Sequence, residues 1–320
     1  MGLLIVRVIV IGATGHIGTW LIPGLVRRGH EVVAVSRGAR RPYRDFDEWS
    51  DVRHVTIDRE QSEQEGSFGR RIAALRPDAV VDLICFHPES AVPLVDALDG
   101  RVEHFIHCGT LWVHGVPRSR PYDETVAREP FGDYGIRKAR IESFLLEKGS
   151  EGFPATVLHP GHITGPGWDP INPAGNLDRD VFARLSRGDV VTLPDRGEAT
   201  LQHVHADDVA QAFALALDKP TASIGESFHV ASLNPVTLRS YAEAAAAWWG
   251  REANLEYLPM VEWQKTVGAT ARALTRDHIL HSPFASIDKA QRVLGFDPRY
   301  TAVQAARDAV AAFTNLDDSA

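Results

Sequence analysis

Cysteine is nearly absent: Cys85 and Cys108 are the only two in 320 residues. A disulfide framework is therefore excluded, and no CxxC or Cys/His spacing is available to hold a structural zinc. Long apolar runs are missing as well. The most apolar stretch, Leu3 to Ile11, is broken by Arg7 and falls short of a membrane span, so it reads as a buried strand. No signal peptide is legible, because a turn from Gly12 to Gly18 stands where a cleavage region would lie. Met1-Gly2 also lacks the Ser or Thr at residue 6 that myristoylation requires. The expectation is a cytoplasmic protein without membrane contact. Nor is there an excess of positive charge. The chain has 34 Lys and Arg against 42 Asp and Glu, a formal net charge of −8, which disfavours nucleic acid as a partner.

What is present is a globular composition, 44% hydrophobic and 24% charged, in a chain long enough for one large core or two lobes sharing a cleft. From residue 5 to 160 short β-branched runs alternate with segments of helical spacing. Strands are predicted at Val6 to Ile11, Glu31 to Val35, Val52 to Ile57, Ala79 to Ile84, His104 to His107 and Ala155 to His159. Helices are predicted at Ile17 to Arg28, kinked by Pro23, and at Tyr134 to Lys148. Such alternation implies right-handed crossovers and an α/β, doubly wound parallel (Rossmann) sheet. From Gly161 to Asn176 glycine and proline mark a long loop of the kind that lies over a site. Thr200 to Val204 and Ser227 to Val230 are predicted to rejoin the sheet. Thr237 and Thr301 read as N-caps of helices reaching Gly250 and Phe313, and Asp317 to Ala320 as a frayed end. The division expected is a dinucleotide-binding domain over 1–160, with returning segments near 197–232. A smaller, partly helical C-terminal substrate-binding lobe would take 161–196 and 233–320.

The loop Gly12-Ala13-Thr14-Gly15-His16-Ile17-Gly18 joins the first strand to the first helix, the context in which a glycine-rich turn brings backbone N–H groups to a pyrophosphate. An NAD site usually offers a carboxylate at the end of the second strand. Here Ser36 is neutral and Arg37 can meet a 2′-phosphate, so NADP(H) is favoured over NAD(H). Arg40 and Arg41 read as a solvated basic corner. Asp58, ending the third strand, can meet the adenine amine or cap the following helix.

Tyr134 and Lys138 stand four residues apart on a predicted helix, which places phenol and ammonium side by side. A free phenol titrates near pH 10, and an adjacent cation favours its phenolate. Lys138 can also hold ribose hydroxyls. Thr110 lies just beyond the fifth strand, at the carboxyl edge where open α/β sheets bind ligands. Its hydroxyl can hold a carbonyl or alcohol oxygen while Tyr134 moves the proton.

These residues occur in order with Val113-His114-Gly115, Tyr134-Gly-Ile-Arg-Lys138, His159-Pro160-Gly161, Gly165-Pro166-Gly167, His205-Ala-Asp207-Asp208 and Leu294-Gly295-Phe296-x-Pro298. The chain resembles the extended short-chain dehydrogenase/reductase superfamily, in its NAD-dependent epimerase/dehydratase group, from residue 5 to about 300. The resemblance implies an NAD(P)-dependent oxidoreductase or epimerase with Thr110, Tyr134 and Lys138 as catalytic set. It also implies that His159 and Gly161 border the cofactor, and that the chain pairs as a homodimer. Leu111-Trp112 stand where 4,6-dehydratases carry Asp-Glu, so that elimination chemistry is disfavoured. Leu201 replaces the phosphate-binding arginine of many sugar-nucleotide epimerases. Ile84 and Cys85 occupy a spot that is usually small.

His162 falls where the family places a substrate-facing Asn, and His87 follows the fourth strand toward the same edge. With Trp112, two residues from Thr110, they complete the candidate substrate contacts. His203 and His205 share a strand face, but no third ligand stands at a ligand-like spacing and no metal is expected. Trp248 and Trp249 read as packing. The first functional expectation is an NADP(H)-dependent carbonyl reductase or alcohol dehydrogenase acting on a small or medium-sized metabolite. The alternatives are a sugar-nucleotide epimerase with retained NAD and a non-catalytic NADP(H)-binding sensor.

Overall fold

A computed structural model describes residues 5–314 and residue 316; Asp317 to Ala320, read above as frayed, lie outside the described residues. The β-branched runs form strands β1 (Arg7–Ile11), β2 (Glu31–Ser36), β3 (Arg53–Thr56), β4 (Ala79–Asp82), β5 (His104–Cys108) and β6 (Ala155–Pro160). Between them lie α1 (His16–Arg27), α2 (Arg59–Gln64), α3 (Phe68–Ala73), α4 (Pro88–Leu98) and α5 (Gly132–Ser150). Short strands follow at β7 (His162–Thr164), β8 (Val191–Pro194), β9 (Thr200–Leu201) and β10 (His203–His205), then β11 (Ser227–Val230), β12 (Val236–Thr237) and β13 (Leu255–Leu258). The later helices are α6 (Asp180–Arg187), α7 (Ala206–Asp218), α8 (Pro220–Ser223), α9 (Leu238–Ala247), α10 (Met260–Trp263), α11 (Ala269–His281) and α12 (Ala302–Ala311).

Seven strands make one all-parallel sheet in the order β3-β2-β1-β4-β5-β6-β11. Its centre is apolar on both sides because both faces are covered. Val8 and Val10 of β1 pack with α1 and α7, while Ile9 and Ile11 pack with α3, α4 and α5. The strand order reverses between β1 and β4, which opens a crevice beyond their carboxyl ends. A separate core gathers Phe182, Leu193, Tyr241, Trp263 and Val310 from β8, α6, α9, α10 and α12.

Two expectations need adjustment. Of the two segments predicted to rejoin the sheet, only β11 does. Thr200 to Val204 splits at Gln202: β9 pairs antiparallel with β12, and β10 pairs parallel with β7. Gln202 is the reason for the split, since its buried side chain bonds the Ser232 carbonyl and both backbone groups of Ala285. α1 runs through the buried Pro23 to Arg27, as expected. Thr237 and Thr301 each form a reciprocal capping box, with Ser240 and Gln304, although α9 and α12 close a little earlier than expected, at Ala247 and Ala311.

Candidate active site

A cavity of about 410 Å³ opens at the switch point, bounded by the ends of β1, β4, β5 and β6 and roofed by the loop after β7. At one end Gly12, Gly15, His16 and Ile17 present the start of α1. Gly12 has φ +87°, a region that favours glycine, and a side chain at Gly18 would stand 2.0 Å from the Ala13 carbonyl oxygen. These two glycines let the loop turn tightly and let α1 approach it. Gly15 caps α1 without a side-chain partner, so the first-turn amides are left to face an anion. The loop thus fits a pyrophosphate. Ile84, the bulky residue on the cofactor side, packs directly over Gly12.

Thr110, Tyr134 and Lys138 line the same cavity. Thr110 sits at the end of β5, and its Oγ accepts the Trp112 amide at 3.3 Å, which starts a short 3-10 turn. Tyr134 and Lys138 share one face of α5. The Lys138 Nζ donates to the carbonyls of Cys85 and Cys108, both at 2.7 Å, so the buried ammonium is satisfied and one donor remains for a ribose hydroxyl. Tyr134 is 37% exposed overall, yet burial pushes its phenol above the ordinary value, while the neighbouring Thr110 hydroxyl pulls the other way. Lys138 is itself lowered by burial, and burial likewise keeps Tyr134 on the side of the neutral phenol. A neutral phenol carries a proton to give, although the upward shift makes it a weaker acid than a free one.

Behind Thr110 lies a buried relay. The Thr110 amide donates to His159 Nδ1 at 3.0 Å, and His159 Nε2 meets Glu142 Oε1 at 2.9 Å. An amide can only donate, so the ring proton lies on Nε2 and is donated to Glu142. Arg128 grips both oxygens of Glu142, at 2.7 and 3.2 Å. Burial opposes the Glu142 charge, but His159 and Arg128 outweigh it and hold the carboxyl below its ordinary range. Gly109 makes the relay possible: a side chain there would lie 2.4 Å from His159 Nδ1.

The sequence-derived candidates divide. Gly12, Gly15, His16, Ile17, Thr110, Trp112, Tyr134, Lys138, Gly161 and His162 converge on the cavity. His159 does not: it is fully buried with both ring nitrogens engaged, and it serves Thr110 instead of a ligand. His87 is exposed as the N-cap of α4, outside the cavity lining, which its neighbour Phe86 joins. Asp58 caps α2, its Oδ1 accepting the Gln61 amide at 3.0 Å, the second of the two readings. Thr14 and Gly18 belong to the loop without bordering the cavity. Ser36 Oγ accepts the Gly38 amide, and Arg37 is exposed with no ion pair among the described residues. No group that could hold a metal occurs among the described residues.

Residues missed from sequence are Phe86, Trp168, Ile171 and Leu177 in the lining, and His278 and His281 behind it. Three of the four lining residues lie in or just after the loop following Gly161, so the apolar members of a loop expected to cover a site were the available signal. His278 and His281 come from α11, far away in sequence, and carried none.

Fold and site together define a dinucleotide-binding class of enzyme, with Thr110, Tyr134 and Lys138 gathered in one cavity at the carboxyl edge of a parallel sheet. The chain belongs to the NAD dependent epimerase/dehydratase family, which matches residues 8–231, and is an NAD(P)-dependent oxidoreductase or epimerase by class. It is 30% identical over 263 residues to a 2'-dehydrokanamycin reductase of Streptomyces kanamyceticus, covering 80% of this chain and 70% of the relative. It is 28% identical to the chloroplast stem-loop binding protein of 41 kDa b of Arabidopsis thaliana, over 94% of this chain and 78% of that protein. The structure of a UDP-glucose 4-epimerase of Thermus thermophilus, in complex with NAD, superposes with a TM-score of 0.71 at 23% identity. That match covers 96% of this chain and 98% of the other. No described helix is long and apolar enough to cross a membrane.

Proposed function

We propose that the protein is an NADP(H)-dependent carbonyl reductase, with residues 161–196 and 233–320 as the lobe that presents a small or medium-sized substrate. The observation that carries this reading is that Thr110, Tyr134 and Lys138 line one cavity together with the start of α1. When bound, the nicotinamide supplies the hydride for the carbonyl carbon and is left oxidised. Thr110 and Tyr134 hold the carbonyl oxygen, and Tyr134 passes its proton to it as negative charge develops there. Solvent then reprotonates Tyr134. Lys138, fixed by two carbonyls, directs its remaining N–H toward the ribose side. The first-turn amides of α1 hold the pyrophosphate, and Arg37 takes the 2′-phosphate that distinguishes NADP from NAD.

A reductase also stands among the relatives. An epimerase would use the same three residues with a retained NAD. Leu201 is fully buried in the second core, with Leu193 and Tyr241, and offers no phosphate contact, which weighs against a sugar nucleotide. A sensor or nucleic-acid binder needs no proton donor, and the net charge of −8 opposes the latter. The test is Tyr134→Phe. Turnover should fall by about three orders of magnitude, the middle of the range for a general acid, with NADPH affinity nearly unchanged by calorimetry. Undiminished turnover removes Tyr134 from the mechanism.

A further inference from the structure

The cavity is poor in charge of either sign. Among the described residues, Lys138 and Asp169 are the only lining members with a formal charge at neutral pH, and each is already engaged. Lys138 is held by the Cys85 and Cys108 carbonyls, and Asp169 by Arg179 at 2.6 Å. No described arginine reaches the lining. The histidines supply no cation either: His162 is pushed well down by burial, and the neighbouring His278, His203 and His281 oppose its protonation further. The one feature suited to a diphosphate is the start of α1, which the cofactor's own pyrophosphate takes. A second diphosphate would be buried without partners, at a cost of several kcal/mol.

The remaining lining is largely apolar and partly open, with Trp168 stacked on His16 at the α1 end, ring centroids 5.1 Å apart. Phe86, Trp168 and Leu177 are 45%, 46% and 43% exposed, and all three face the cavity with Ile171 and Trp112. Large apolar side chains left uncovered in one concave place mark a binding surface. Trp112 is itself braced, because His281 stacks between it and Phe131 with both ring centroids at 4.0 Å. A rigid indole wall stands two residues from Thr110.

We propose that the substrate is an uncharged ring ketone, whose flat apolar body lies among Trp112, Phe86, Ile171 and Leu177 while its carbonyl meets Thr110 and Tyr134. This assignment rests on the reductase reading but is tested apart from it. The Tyr134→Phe protein saturated with NADPH is titrated calorimetrically with 1-tetralone, a bicyclic ketone, with UDP-glucose and with the polycationic kanamycin. The expected result is saturable 1-tetralone binding with a negative heat-capacity change, the mark of apolar burial, and no heat from the other two. Leu177→Asp should weaken 1-tetralone about tenfold, as a charge on an apolar wall does, and leave NADPH binding unchanged. Binding of UDP-glucose or kanamycin in preference to 1-tetralone overturns the proposal, as does absence of saturable 1-tetralone binding. Ketone binding without NADPH oxidation by the unsubstituted enzyme supports the substrate class and counts against the reductase reading.

Discussion

Arg37 stands just beyond the end of β2 with no acid beside it among the described residues, and a guanidinium without a partner is free to take a phosphate. Arg37→Asp reverses that charge at an exposed position, so the fold should tolerate it. A charge-assisted hydrogen bond contributes about 1.5–3 kcal/mol, so the ratio of kcat/KM for NADPH over NADH should fall about 10- to 100-fold. An unchanged ratio in steady-state kinetics would leave cofactor choice to other residues. Individual site residues were legible to the extent that their role is local. Tyr134 and Lys138 follow from helical spacing and Thr110 from the end of a strand, whereas the protonation of Tyr134 depends on burial and on where Lys138 sends its hydrogen bonds. Those hydrogen bonds go to Cys85 and Cys108, residues that no pattern connects to it.

At the scale of elements, the relay from Thr110 through His159 to Glu142 and Arg128 ties the ends of β5 and β6 to α5, which also carries Tyr134 and Lys138. It therefore fixes Thr110 relative to the helix that carries the other two residues of the proposed catalytic set. Glu142→Gln keeps the shape but removes the charge that Arg128 and His159 answer. Breaking a buried ion pair costs about 3–5 kcal/mol, to be read by urea unfolding. If the relay positions Thr110, kcat should also drop, by about tenfold, with KM for NADPH unchanged, because a small misplacement affects the reacting groups most. Equal kcat in the variant would reduce the relay to a structural support. The sheet strands were legible because a strand buried on both faces is a continuous apolar run, as in Val8 to Ile11. β9 and β10 were not. They are two and three residues long, and their partners β12 and β7 are set by the buried Gln202 and by chain far from them in sequence.

For the whole molecule, the dominant electrostatic fact is how many histidines are buried neutral. Of fourteen, burial lowers the pKa of nine. His16 falls to about 3, and His104, His114, His203 and His281 to about 4. In the unfolded chain each takes a proton as the pH drops below about 6.5, while the native state refuses it until near its own lower value. The unfolded state thus binds more protons between those limits, so stability is full above about pH 6.5 and declines as the pH falls toward 4. Each such histidine contributes a slope of about 1.4 kcal/mol per pH unit, and two of them across one unit remove about 3 kcal/mol from a total of about 5–15. Carboxylates such as Glu142 act later, since their contribution is lost only below an unfolded value of about 4.3. Acid unfolding should therefore begin in the histidine range, with a midpoint above about pH 5 and an uptake of several protons. Circular dichroism at low protein concentration is the suitable measurement, because the isoelectric point near 6.0 favours precipitation in the same range. A native spectrum persisting to pH 4 would mean that the buried rings accept protons in place, and the neutral-histidine account of this core would fail.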